Sequence, residues 1–234
     1  MIWFFTGVPG SGKSYHVAKM LYHHIQNGKN AMGNMDFYIE NVTQRGKRLK
    51  GSYLRIPDRE FYNNSVSEMK TDRRGVTRIC EPDNVFSYIQ GLKGYAYNFH
   101  ERDRKGRFML HQTLLIIDEA HELFNSRSWN KKDRLAWCSF FRVHRKLGYD
   151  IILISQDDKC IDKQIRSILE TCTLHRNVAN YKLAGKFLAK LFGGNLFVCI
   201  TTQYGYAKKD AKTKVEYLYG SNKYFDVYDT TQMY

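Results

Sequence analysis

The chain has 234 residues, 43% of them hydrophobic, and carries 37 Lys and Arg against 23 Asp and Glu for a formal net charge of +14. This length and apolar content suffice to bury one full α/β core and argue against a disordered chain. No run of about eighteen apolar residues is present to form a membrane-crossing helix, the N-terminal apolar run lacks the basic leader of a signal peptide, and the positive excess favours a polyanionic partner.

The first predicted element is a strand, Ile2-Trp3-Phe4-Phe5-Thr6, which runs into Gly7-Val8-Pro9-Gly10-Ser11-Gly12-Lys13-Ser14. This is a complete G-x-x-x-x-G-K-[ST] phosphate loop (Walker A) set between a strand and a helix. Glycines let the backbone curl so that successive N–H groups point at a phosphate, and the helix that follows adds its positive dipole end. Lys13 is placed for the β- and γ-phosphates of ATP and Ser14 for Mg²⁺. Gly7, Val8, Pro9, Gly10, Ser11, Gly12 and Tyr15 complete the expected cofactor-binding segment.

Tyr15 to Asn27 reads as the first helix, with Val17, Met20, Leu21 and Ile25 at helical spacing and Asn27-Gly28 as its C-cap. Ala31-Met32 reads as a short second strand. Residues 43–78 change composition: Arg45, Lys47, Arg48, Lys50, Arg55, Arg59, Lys70, Arg73, Arg74 and Arg78 outnumber the acids, and branched aliphatics are few. That pattern predicts a basic insertion on the core. Glu81 to Phe99 is predicted helical, with Val85, Tyr88, Ile89 and Leu92 on one face, followed by the charged loop 101–107.

Thr113-Leu114-Leu115-Ile116-Ile117 is a continuous apolar run of the buried parallel-strand kind and ends in Asp118-Glu119. Ligands of open α/β sheets sit at the carboxyl ends of strands, which puts this pair (Walker B) beside the phosphate loop. Asp118 is then the metal-holding acid and Glu119 the group that orients and polarises an attacking water. Acids also simply start helices, as they would start the one over residues 120–124, but the upstream phosphate loop favours the site. Arg134 to Leu147 is the next predicted helix. Arg142 and Arg145 on it are candidates for an arginine supplied to a neighbouring subunit, or equally for caps of the helix end. Asp150-Ile151-Ile152-Leu153-Ile154-Ser155-Gln156 is a third apolar strand, and Gln156 at its end either touches the γ-phosphate or the lytic water, or closes a turn.

Ile161 to Leu169 predicts a helix, Thr171 to Val178 a strand, and Phe187 to Ile200 a helix end, a turn and a strand. The last part interleaves Tyr204, Tyr206, Lys208, Lys209, Lys212, Lys214, Tyr217 and Tyr219. It reads as a surface that stacks bases and neutralises phosphates of single-stranded DNA, or as a β-hairpin with a packed tyrosine face and lysines around the Ala207-to-Thr213 turn. The five cysteines are dispersed, which fits reduced thiols in a cytoplasm. Neither they nor the eight histidines show metal-ligand spacing, so Mg²⁺ is the only metal expected. The fold class expected is α/β: a P-loop NTPase with a mainly parallel sheet of the additional-strand (RecA-like) type, flanked by helices. One ATPase domain covers 1–234, with 43–78 as the insertion and 195–234 as a C-terminal strand and tail region.

These pieces resemble the zonular occludens toxin-like ATPases, a family that includes the gene I assembly proteins of filamentous phages. The matching residues are Phe5 to Tyr15, Ile116-Ile117-Asp118-Glu119-Ala120-His121, His144-Arg145-Lys146-Leu147-Gly148-Tyr149-Asp150 leading into Ile154-Ser155-Gln156, and Val227-Tyr228-Asp229-Thr230. Lys146 stands where the family pattern has a histidine. The resemblance implies an ATPase motor for filamentous phage assembly and extrusion. It also implies a homo-oligomeric ring, phage assembly and coat proteins as partners, and a place at the inner face of the host membrane. Family members continue into a membrane-spanning helix, whereas this sequence stops at Tyr234. A nucleotide-gated binding switch and a small-molecule kinase are the competing readings, the second disfavoured by Glu119 and Gln156.

Overall fold

The computed structural model describes residues 1–43, 49–56, 68–71, 77–80, 85–125, 133–181, 195–205 and 212–228, with 185, 187 and 190. Strand β1 (Ile2–Thr6) lies in the centre of the main sheet. The strands that follow are β2 (Asn30–Gly33), β3 (Tyr53–Arg55), β4 (Glu68–Thr71), β5 (Thr77–Cys80), β6 (Thr113–Ile117) and β7 (Tyr149–Ile154). The last three are β8 (Thr171–Asn177), β9 (Leu196–Gln203) and β10 (Thr213–Tyr219).

The apolar runs are buried on both faces, and their side chains alternate between two cores. Ile2, Phe4, Leu115, Ile117, Ile151 and Leu153 face one; Phe5, Leu114, Ile116, Ile152 and Ile154 face the other. Helix α1 (Lys13–Gln26) covers the second face with Val17, Leu21, Tyr22 and Ile25. Helices α2 (Val85–Phe99), α3 (Ala120–Leu123), α4 (Asp133–Val143) and α5 (Lys163–Arg166) bring Leu92, Ala96, Leu123, Trp137, Phe140, Phe141 and Ile165 to the first. A last short helix, α6 (Asn222–Phe225), packs beside α1.

Eight strands form the main sheet in the order β10-β9-β8-β1-β7-β6-β2-β3, and β4 pairs β5 in a separate antiparallel ribbon. From β8 to β3 all neighbours are parallel, while β9 runs antiparallel between β8 and β10. Strand β7 lies between β1 and β6, which is the additional-strand arrangement expected from the sequence. No helix among the described residues is long and apolar enough to cross a membrane.

Several boundaries differ from the sequence pattern. Helix α1 starts at Lys13, because Gly12 (φ +97°) turns the chain directly from the phosphate loop into the helix. The helix expected over 134–147 ends at Val143; residues 144–147 tighten into a 3₁₀ turn closed by Gly148 (φ +87°). The one expected over 161–169 spans only Lys163–Arg166, since Glu170 N–H already donates to Ile2 O (3.0 Å) at the entry to β8. Part of the expected insertion belongs to the core: Tyr53–Arg55 is an edge strand held by Ala31 N–H to Ser52 O (2.8 Å) and Ile56 N–H to Gly33 O (2.7 Å). Arg45, Lys47, Arg48, Arg59, Arg73, Arg74, Glu81, Gly193, Gly194, Tyr206, Lys208, Lys209, Asp229 and Thr230 lie outside the described residues.

Candidate nucleotide site

The phosphate loop leaves β1 with Gly7 at φ +142° and Gly10 at +71°. A Cβ on Gly7 would stand 2.5 Å from His175 O, and one on Gly12 2.5 Å from the Phe197 ring, so both glycines are required by the close packing of β8 and β9. Gln156 O fastens the loop to the end of β7, accepting from Thr6 Oγ1 (2.9 Å) and Gly7 N–H (3.4 Å). Across the loop, Asn177 Nδ2 donates to Gly10 O (3.3 Å). Lys13, Ser14 and Tyr15 open α1, where N–H groups have no carbonyl one turn back within the helix.

Lys13 Nζ donates to Gly7 O (2.7 Å) and Val8 O (3.2 Å). Burial pushes its ammonium below the ordinary lysine value, while Glu119 and Asp118 act against that shift. The ammonium therefore sits within the field of both carboxylates. Together with Gly10, Ser11, Gly12, Ser14 and Gln156, these three side chains line a cavity of about 700 Å³ at the carboxyl ends of the parallel strands.

Two features sharpen the acidic pair. Asn34, 4% exposed, clamps the backbone of Asp118 from both sides: Nδ2 donates to Asp118 O (3.1 Å) and Oδ1 accepts from Asp118 N–H (2.7 Å). Glu119 adopts φ +46°, a left-handed conformation uncommon outside glycine, and its N–H donates to Asp118 Oδ1 (2.8 Å). His121 Nδ1 stands 3.1 Å from Glu119 Oε2 and 3.5 Å from Ser155 Oγ, between the acid and the end of β7.

The expected site residues thus divide. Gly7 to Ser14, Asp118, Glu119 and Gln156 come together at one edge. The Tyr15 side chain is buried, with its hydroxyl donating to Tyr219 O (2.7 Å) and accepting from Ser221 N–H (3.1 Å), so only its backbone faces the loop. Arg142 and Arg145 are exposed and precede β7, whose six residues span about 20 Å, so they lie at the opposite edge and do not reach this chain's own loop. Asn34, His121 and Asn177 were not foreseen. For Asn34 the signal existed, since it is a polar residue at the carboxyl end of a strand, like Gln156. Arg55, Asp36, Phe197 and Tyr228 also line the cavity, Tyr228 through the bridge of the tail to Phe37.

Fold and site together define a P-loop NTPase domain of the additional-strand class. Within it the chain belongs to the zonular occludens toxin (Zot) family, whose model matches residues 1–86 and 97–233. Among curated relatives it is 29% identical over 248 residues to the gene 1 protein of Enterobacteria phage f1, covering 100% of this chain and 60% of that protein. The gene 1 protein of Salmonella phage IKe is 33% identical over 132 residues, covering 52% of this chain and 35% of that one. The chain therefore spans less than two thirds of the length of these relatives. Two solved structures share the fold. The N-terminal domain of zonular occludens toxin from Neisseria meningitidis has a TM-score of 0.54 at 17% identity, covering 97% of this chain and 98% of that one. The DNA-packaging ATPase B204 from Sulfolobus Turreted Icosahedral Virus has a TM-score of 0.51 at 14% identity, covering 92% and 95%.

Proposed function

We propose that this domain is a Mg²⁺-dependent ATP hydrolase, the motor part of a protein that drives assembly and extrusion of a filamentous phage as its single-stranded DNA leaves the cytoplasm. The observation that carries the ATPase reading is the convergence of Lys13, Asp118 and Glu119 on one cavity at the carboxyl edge of the sheet. The loop N–H groups and the first amides of α1 would donate to the phosphates of ATP, and Lys13, released from the Gly7 and Val8 carbonyls, would neutralise the β- and γ-phosphates. The Ser14 hydroxyl and Asp118 carboxylate are the oxygen donors Mg²⁺ prefers and would hold the ion, which would supply neutralisation of the phosphate charge. Glu119, set by its backbone turn, polarises the attacking water. Gln156 aligns that water or the γ-phosphate.

The phage-assembly reading rests on family membership and on the gene 1 relatives. Coat and assembly proteins, a homo-oligomeric ring and the inner face of the host membrane are its proposed partners and setting. An arginine supplied in trans by Arg142 or Arg145 requires a neighbour that brings its strand-entry edge to the carboxyl edge of this sheet. For single-stranded DNA, the hairpin edge offers Val215, Tyr217 and Tyr219 exposed on one face of β10, with Lys212 and Lys214 exposed beside them.

Steady-state hydrolysis by the 234-residue chain, with and without single-stranded DNA, tests the proposal. Magnesium-dependent turnover abolished by Lys13→Ala is the expected result. ATP binding without any turnover, in a folded protein, would overturn the motor in favour of a nucleotide-gated switch.

A further inference from the structure

The spacing of histidines and cysteines in the sequence carries no metal pattern, yet folding aligns three of them behind the phosphate loop. His175 on β8 pairs directly with Cys199 on β9, and Cys199 with Glu216 on β10. Directly paired residues point to the same face of a sheet, so these side chains stand in one row. Helix α1 covers that face and sets His16 over the row. His16 Nδ1 lies 2.9 Å from His175 Nε2, and the ligand atoms of His16, His175 and Cys199 all lie within 4.8 Å of one another.

We propose that His16, His175 and Cys199 bind Zn²⁺. Two imidazoles and a thiolate form a nitrogen–sulfur set that zinc takes, at about 2.0 Å to nitrogen and about 2.3 Å to sulfur. Nitrogen ligands of such a tetrahedral site stand roughly 3.3 Å apart, so the two imidazoles separate by only about 0.4 Å from their present contact. His175 is already held as a ligand. Its Nδ1 faces the carbonyls of Thr6 (3.2 Å) and Thr173 (3.1 Å), which fixes the proton there and leaves the Nε2 lone pair directed at His16. A backbone acceptor on the far nitrogen is the usual outer support of a zinc-bound histidine.

The fourth position is open to water. A surface depression of about 400 Å³, lined by His16, Lys19, His23 and Glu216 among others, gives the ion a path from solvent. Zinc here cross-links the first turn of α1 to β8 and β9. Since His175 O is the atom that a Cβ on Gly7 would strike, the cross-link backs directly onto the phosphate loop.

Cobalt substitution tests the site without reference to catalysis. The metal-stripped full chain should take up one equivalent of Co²⁺ with a thiolate-to-cobalt charge-transfer band in the near ultraviolet and tetrahedral bands in the visible. Zn²⁺ should displace it and raise the melting temperature. Cys199→Ser should abolish the charge-transfer band, and His16→Gln, on a partly exposed helical position that leaves the fold intact by circular dichroism, should weaken metal binding about tenfold or more. Cys160→Ser, which removes an exposed thiol, should change neither. Absence of the band at stoichiometric cobalt, or a band that survives Cys199→Ser, overturns the site. Either result leaves the ATPase reading standing, because no nucleotide is involved.

Discussion

Glu119 combines three features in one residue of the cavity: a left-handed backbone, an N–H bound to its own neighbour's carboxylate, and a histidine 3.1 Å from its side chain. Such conformations cost about 1–3 kcal/mol and persist where the surroundings over-determine them. Glu119→Gln keeps size and hydrogen bonding but removes the polarising charge. Turnover should fall about a hundredfold or more while ATP affinity is retained; undiminished hydrolysis would assign the water to another group. Lys13→Ala should instead abolish ATP binding in a folded protein, measured with a fluorescent nucleotide. Both residues were legible in the sequence because their motifs are local: the loop, the helix start and the strand-end acids are contiguous in the chain. Asn34 and His121 were harder, since their roles depend on which strands become neighbours. The His16, His175 and Cys199 cluster was not legible at all, because 159 residues separate the two histidines and only the β8-to-β9 register aligns the second with the cysteine.

At the scale of elements, the phosphate loop is shaped by what packs behind it. Gly7→Ala places a methyl 2.5 Å from a backbone carbonyl of β8, whereas Gly10 has open space and only its positive φ to lose. Thermal denaturation should therefore show a modest loss for Gly10→Ala, on the order of 1 kcal/mol, and a distinctly larger one for Gly7→Ala. Equal losses would mean that β8 yields easily. The start of β7 carries a different constraint. Burial works to raise the Asp150 carboxyl, but hydrogen bonds from the Met1 amino group (2.6 Å) and His111 Nδ1 (2.7 Å) outweigh it and hold the pKa below the ordinary value. Its contribution is thus fully present above about pH 4 and is lost as pH falls through the lower folded value. Asp150→Asn should cost on the order of 1–2 kcal/mol at neutral pH and flatten the acid side of the stability profile, as chemical denaturation across pH would show. Strand identities were readable because continuous apolar runs have few other destinies. Helix ends were not, since α4 and α5 stop where tertiary hydrogen bonds and Gly148 take over from periodicity. Tyr53–Arg55 was hidden by its charge, which a short edge strand tolerates.

On the scale of the whole molecule, one group of exposed cations among the described residues lies away from the nucleotide cavity. The phosphate loop occupies the carboxyl edge of the sheet, while exposed Arg102, Arg104, Lys105, Arg107, Arg145 and Lys146 sit on segments that enter β6 and β7 at the other edge. If a neighbour completes the site, specific activity should rise with protein concentration from nanomolar to micromolar; a flat profile with only monomer in light scattering would return Arg142 and Arg145 to local roles. Binding of single-stranded DNA should weaken with salt by roughly −0.7 in log–log slope for each phosphate neutralised. Removing Lys212 and Lys214 should flatten that slope if the hairpin is the contact, and removing Arg104, Lys105, Arg145 and Lys146 should do so if the strand-entry edge is. No dependence on any of them would leave the charge to an anionic membrane surface.

The hydroxyl of Tyr15 has a mechanical meaning beyond its two hydrogen bonds. It bolts the first turn of α1 to the end of β10, a rod of seven residues and roughly 24 Å whose far end lies at the opposite edge of the sheet. All seven residues of that rod are laddered to β9, so the same hydroxyl ties the start of α1 to the whole antiparallel margin of the sheet, as a tie-beam holds a wall. Tyr15→Phe would keep the beam and remove its tie.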